Sequence, residues 1–153
     1  MRSKKRSGAS SRSKPPDPPH PPPLFLDRSL GRHTIAAALR AQGAEVHTHD
    51  THFAADAHDD YWLPIVGSRG WAVITKDTKI RYRHTELAAV MAGKVRAFVL
   101  TRGDLSGPEM AQILVTALPR IARFCARHAP PFIARVSRTG TVHMLLDQKK
   151  EAK

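Results

Sequence analysis

The chain has almost no cysteine. Cys125 is the only one in 153 residues, which excludes an intramolecular disulfide and fits a reducing compartment, because oxidised secreted domains usually carry cysteines in pairs. A lone thiol of this kind reads as a small core residue. Long apolar runs are also missing. None approaches the ~18 residues of a membrane span, and the basic N-terminus has no apolar stretch after it, so neither a membrane anchor nor a secretory signal is expected. The expectation is a cytoplasmic protein with no membrane partner. There are no internal repeats, and acids are scarce: 13 Asp and Glu face 25 Lys and Arg, for a formal charge of +12.

The excess of positive charge is not confined to the ends. Residues 1–23 carry six Lys or Arg against one Asp, residues 24–146 carry sixteen against ten acids, and the last seven residues carry three against two. The body of the chain is therefore basic by itself. Such a field concentrates polyanions, and nucleic acid is the commonest polyanion.

With 41% hydrophobic residues the chain can bury one ordinary core without metal or disulfide staples. Residues 1–23, MRSKKRSGASSRSKPPDPPHPPP, hold one Met as their only sizeable apolar residue and cannot repay their ordering entropy, so a disordered, basic, Pro-rich tail is expected. Residues 24–146 form the expected domain, and 147–153 a flexible basic tail.

Strand and helix patterns alternate along residues 24–146. LFLD is a short apolar strand ending in Asp27, and SLGRHTIAAALRAQG is helical with Gly43 as its stop. AEVHTH is a weaker strand. HDDYWLPIVGSRG reads as a helix starting between Asp59 and Leu63, since Pro64 is best tolerated in a first turn. WAVIT is a continuous apolar run, as expected of a parallel strand buried on both faces. TELAAVMAG is a helix closed by Gly93, and VRAFVL is a strand. SGPEMAQILVTALPRIARFCARH opens with Ser106 and Glu109 in capping-box spacing, and its Pro119 is expected to kink or divide it. FIARVS and TVHMLL flank the turn RTG as a terminal hairpin. This alternation predicts an α/β fold with a mostly parallel sheet between helices, and ligand sites at the carboxyl ends of its strands.

That rule gives Asp27 and Asp77 a shared address, because each ends a predicted strand. Asp56, Asp59 and Asp60 cluster at the start of the helix leading into the second of these strands. Converging carboxylates repel unless a cation bridges them, and hard divalent ions prefer oxygen ligands, which points to Mg2+ or Mn2+. In GWAVITKDTKIRYRH the acid Asp77 is surrounded by Lys76, Lys79, Arg81 and Arg83. With Arg28 or Arg32, these cations are suited to hold phosphates beside a metal, which is the logic of a phosphodiesterase.

LFLDRSLG, the acid-bearing DDYWLPIVGSRGW, and VITKD followed by a basic stretch resemble a PIN-like domain, in particular the VapC-type toxin ribonucleases, over about residues 24–146. The resemblance implies a three-layer α/β fold and a metal-dependent endoribonuclease acting on RNA. It also implies a protein antitoxin as partner, and a homodimer. Position by position it matches Asp27 to the acid ending the first strand, Asp77 to the acid after the T-x-D strand, and Thr75 to the hydroxyl that orients the site. Asp59 matches the acid one helix earlier, with Asp60 as its alternative. For the fourth acid often found in the family the chain offers Asp104, a departure that leaves a second metal position open.

Other readings of these residues are weaker. His47, His49 and His52 around Asp50 match no common zinc spacing and read as solvated loop histidines. Trp62 and Trp71 sit at apolar positions and read as core. A receiver domain would need paired acids after its first strand and a Lys ending its fifth, and LDRS and FIARV supply neither. A non-catalytic nucleic-acid-binding module, with the acids purely structural, is the other alternative.

Overall fold

The computed structural model describes residues 19–101 and 104–148. The expected N-terminal tail thus lies outside the described residues up to Pro18, and the C-terminal tail from Lys149. In chain order the elements are β1 (Leu24–Leu26), α1 (Thr34–Ala41), β2 (Val46–Thr48), the single turn α2 (His49–His52), α3 (Asp59–Ser68), β3 (Ala72–Thr75), α4 (His84–Ala92), β4 (Arg96–Leu100), α5 (Gly107–Arg127), β5 (Phe132–Val136) and β6 (Val142–Asp147). Short 3-10 turns span Arg28–Leu30 and Ile80–Tyr82.

Among the described residues six strands form one sheet in the order β2-β1-β3-β4-β5-β6, all parallel except β6, which returns antiparallel to β5 as the expected hairpin. Alternation along each strand divides the core in two. Leu24, Leu26, Ile74, Phe98, Leu100 and Phe132 face α1 and α5, while Phe25, Val73, Val99 and Ile133 face α3 and α4. Both faces are buried, so the strands read as continuous apolar runs, and the molecule is a three-layer α/β sandwich.

The order of strands positions the site. The chain leaves β1 in one direction to make β2, then crosses back over β1 to make β3. The crevice between the carboxyl ends of β1 and β3 is the switch point where open α/β sheets bind ligands. Helix α3 runs antiparallel to β3 and α4 follows it, so both helices point their N-termini, and the positive ends of their dipoles, toward this crevice. They can approach closely because Gly67 and Gly93 meet at their crossing. A Cβ on Gly67 would lie 2.2 Å from the Gly93 carbonyl oxygen, and one on Gly93 would lie 2.8 Å from Pro64 Cα.

Three local expectations change. The helix expected from Ser29 starts at Thr34, because Ser29 and Leu30 form a 3-10 turn and Gly31 at φ 73° separates that turn from α1. Helix α3 starts at Asp59, within the expected range, and this leaves Pro64 in its second turn rather than its first, packed against Gly93. Pro119 does not divide α5, which runs unbroken from its Ser106–Glu109 capping box to Arg127, carried by an apolar face that includes Leu114, Ala117, Leu118 and Ile121. Cys125 is half-buried, and burial pushes its thiol pKa up to about 11, so it is inert at neutral pH. Among the described residues no helix is long and apolar enough to cross a membrane.

Candidate active site

Strand register brings the first residues together. Leu26 pairs with Thr48 on one side and Ile74 on the other, so the next residue, Asp27, falls level with His49 and Thr75. The Thr75 hydroxyl donates to Asp27 Oδ2, and the Ser29 hydroxyl and the Ser29 backbone N–H (2.8 Å) donate to Asp27 Oδ1. The same Thr75 oxygen accepts the Asp77 backbone N–H at 3.0 Å. Thr75 is 1% exposed, and its one hydroxyl joins the acid after β1 to the acid after β3.

Asp59 opens α3, where the buried indole N–H of Trp62 holds its Oδ1 at 3.1 Å. Asp77 is level with it across the crevice. Asp27, Asp59 and Asp77, with Arg28, Ser29 and His49, line one cavity of about 120 Å³. The three acids matched by resemblance are therefore neighbours. Asp60 is exposed and stands outside this lining, as does Asp104, which is exposed in the loop before α5.

Glu86 completes the cluster instead. Asp59, Asp77 and Glu86 each offer a carboxylate oxygen, and these oxygens lie within 4.8 Å of one another. The sequence carries a signal for Glu86: like Asp59 it stands in the first turn of a helix whose N-terminus faces the carboxyl end of β3. The crowding is visible in the electrostatics. Burial raises the pKa of Asp27 above 3.8, partly offset by the donors from Ser29 and Thr75, and the charge of Asp59 adds to the rise. Burial likewise raises Glu86 above 4.5, reinforced by the charges of Asp59 and Asp77.

A cation from the chain itself answers part of this repulsion. Arg83 Nη1 donates to Asp77 Oδ2 and, at 3.3 Å, to Glu86 Oε1. Arg83 thus shares its charge with the acids through one of its three nitrogens. Arg81 is folded onto its neighbour, its guanidinium 4.8 Å over the Tyr82 ring and donating to the phenolic oxygen at 2.6 Å. Arg28 donates to the Ala55 carbonyl and lines both the acidic cavity and an adjoining one of about 200 Å³, where Arg32 pairs with Asp50 at 3.6 Å. Lys76 is half-buried and Lys79 exposed, and neither joins an ion pair among the described residues.

His49 also belongs to the site. It is 3% exposed, packs on Phe25 and edge-on to Trp62, and lines both cavities. Burial, with Arg28 nearby, lowers its pKa and keeps the ring neutral. It is not a solvated loop residue; the strand that delivers it ends one residue before it, level with Asp27. His47 and His52 lie away from this crevice, 3.1 Å apart, with His47 stacked on a half-buried Trp71.

Comparison with known proteins agrees with this architecture. The family described as PIN like domain matches residues 22–102, which include β1 through β4 and every acid of the cluster. A protein named "Putative ribonuclease VapC45", from Mycobacterium tuberculosis, is 31% identical over 126 residues, covering 80% of this chain and 91% of that protein. No solved structure matches at a significant level. The family match spans more than half the chain and the relative aligns along nearly its whole length, and on both grounds the chain belongs to the PIN-like domain family.

Proposed function

We propose that this protein is a metal-dependent endoribonuclease that hydrolyses RNA phosphodiester bonds and serves as the toxin of a toxin-antitoxin pair. The observation that carries the reading is the convergence of Asp59, Asp77 and Glu86, with Asp27 lining the same cavity as Asp59 and Asp77, at the switch point of a basic α/β domain. The ribonuclease assignment is drawn from the name of the 31% identical relative, and the toxin assignment from the resemblance of the acid-bearing motifs to the VapC-type toxins.

The residues fit a hard divalent cation, Mg2+ or Mn2+. Every donor is a carboxylate oxygen, the three oxygens of Asp59, Asp77 and Glu86 are already gathered, and Arg83 balances only part of their charge. Glu86 takes the fourth acidic position for which Asp104 was the sequence candidate. When bound, such a cation supplies positive charge against the phosphoryl oxygens and a lowered pKa for a water molecule. The chain's own residues do the rest. Ser29 and Thr75 hold the Asp27 carboxylate in one orientation, Trp62 does the same for Asp59, and neutral His49 closes the crevice wall against solvent. Arg28, Lys76 and Lys79 border the acids and are suited to hold the phosphates flanking the scissile bond. Arg83 would join them through the N–H groups that Asp77 and Glu86 leave unused.

The test is cleavage of a labelled RNA by the purified chain in Mn2+, against EDTA. Asp77→Asn and Glu86→Gln should each lose at least ~100-fold in rate, as expected when a charged group is removed from the catalytic centre, whereas Asp104→Asn should keep activity. A wild type that binds RNA but cuts none in Mn2+ would make the chain a non-catalytic binding module. Growth arrest on cytoplasmic expression of wild type, absent with Asp77→Asn and relieved by a co-expressed antitoxin, tests the toxin role. Light scattering of the purified chain tests the homodimer.

A further inference from the structure

From Met110 to Leu146 the chain contains five arginines and no Asp or Glu. That stretch builds α5, β5 and β6, the half of the molecule away from the acids. Arg120, Arg123 and Arg127 follow one another at helical spacing, fall on one face of α5, and are all exposed. With Phe124, Thr141 and Val142 they line a groove of about 250 Å³ between α5 and the start of β6. Among the described residues no ion pair engages any of the three. Like charges at this spacing destabilise a helix unless an anion lies among them.

One end of the groove lies at the acids' end of the sheet, and the helix carries its arginines away from there. Strand β5 is parallel to β1 and β3, so the hairpin turn after it, which carries exposed Arg138, lies at the same end of the sheet as Asp27 and Asp77. That turn is two strands from β3, roughly 10 Å along the sheet edge. Arg120 ties the turn to the helix by donating to the Gly140 carbonyl at 3.2 Å. From Arg120 to Arg127 the helix then advances about 10 Å. Since a nucleic-acid strand presents one phosphate about every 3.4 Å of helix axis, this span meets about three of them. Phe124, half-buried in the same groove, is already packed against His128, at 4.2 Å between ring centroids, and against Phe98 and Phe132, so it forms apolar wall and the arginines are left to make the contacts to phosphate.

We propose that this groove is a second RNA-backbone site, which holds phosphates of the substrate remote from the bond that is cut. The proposal rests on the nuclease reading for its biological purpose, but it concerns different residues. An acid-free run of arginines along about 10 Å of one helix face suits the regularly spaced charges of an RNA backbone better than an acidic protein segment.

The test uses Arg123→Gln/Arg127→Gln, which leaves Arg120 to hold Gly140. Binding of a fluorescein-labelled RNA hairpin with single-stranded flanks is followed by anisotropy in EDTA across roughly 50–300 mM KCl. The double variant should bind about tenfold more weakly at low salt, and the slope of log affinity against log salt should fall by about 1.5, two phosphate contacts' worth. In Mn2+, KM for the hairpin should rise while kcat, and cleavage of a tetranucleotide too short to reach the groove, stay as in wild type. Unchanged affinity and slope would overturn the proposal, as would an equal loss on the tetranucleotide. So would a polyglutamate peptide that binds wild type more tightly than the hairpin does and depends on the same two arginines. A wild type that binds RNA through Arg123 and Arg127 yet cuts nothing would sink the nuclease reading and leave the groove standing.

Discussion

Replacing Thr75 with Val should cost the metal-free protein about 2–3 kcal/mol, more than the smaller Thr75→Ser change. Thr75 Oγ1 donates to Asp27 Oδ2 and accepts the Asp77 N–H at 3.0 Å, at a position 1% exposed. Val keeps the shape and removes both bonds. The bond to a carboxylate is worth ~1.5–3 kcal/mol, and a buried N–H left without an acceptor costs ~1–3 kcal/mol. Two effects offset the loss. Asp27 keeps both donors from Ser29 on its other oxygen, and the added methyl contributes up to ~0.8 kcal/mol of apolar burial. Ser keeps the hydroxyl and loses one buried methyl, ~1 kcal/mol.

The assay is urea denaturation in EDTA at neutral pH, with the three proteins compared at equal m-value. Val at or above the stability of Ser would refute the reasoning, because volume favours Val and only the two hydrogen bonds favour Ser. The penalty should also shrink in acid. Once Asp27 is protonated its bond from Thr75 is no longer charge-assisted, so the gap between wild type and Val should narrow as pH falls through the raised Asp27 pKa.

Asp27 gives a second pH signature. Its folded pKa is raised, so the native state binds the proton more tightly than the unfolded chain; in EDTA wild type should gain stability relative to Asp27→Asn as pH falls from neutrality toward the unfolded value of 3.8, read from paired melting curves. The pairing matters because His49 and His52, lowered chiefly by burial, cost both proteins stability as pH falls below their unfolded value of 6.5. Arg83→Gln should bind Mn2+ more tightly in calorimetry, since the guanidinium between Asp77 and Glu86 no longer competes; equal or weaker binding would show that Arg83 is not a competitor. Gly67→Ala should be among the most damaging single changes, at about 3 kcal/mol or more, because its Cβ would meet backbone rather than a movable side chain; a loss under about 1 kcal/mol by urea denaturation would contradict the α3–α4 contact.

The fold was legible because most of its determinants are local or periodic. Apolar runs such as AVIT, with both faces buried, announce central parallel strands, and the Ser106–Glu109 box announces the start of α5. The misjudged elements are those where tertiary packing outweighs a local rule. Pro64 is tolerated inside α3 because Gly93 lets α4 approach it, and Pro119 inside α5 because the apolar face continues on both sides of it. Neither contact has a signature in the residues next to the proline.

The site divides along the same line. Asp27 and Asp77 share an address because a strand end has a known direction, and the acids opening α3 because a helix start has one too; the choice of Asp59 among them, and Thr75, come from the resemblance alone. The second argument applies equally to Glu86, in the first turn of α4, but the resemblance directs the eye past β4, where Asp104 stands. The cations were harder, since a count of charges says nothing of pairing. Four of them around Asp77 looked equivalent, yet a 3-10 turn over Ile80–Tyr82 carries Arg83 back onto Asp77 and Glu86, while Arg81 folds onto Tyr82 and Lys79 stays in solvent. This inequality has a mechanistic consequence on the proposed reading. A guanidinium shared with the acids has less charge to give a phosphate than one for which a metal would take over those acids, so metal and RNA should bind cooperatively through Arg83. Lys79, already free of the acids, should contribute the same phosphate affinity with or without metal.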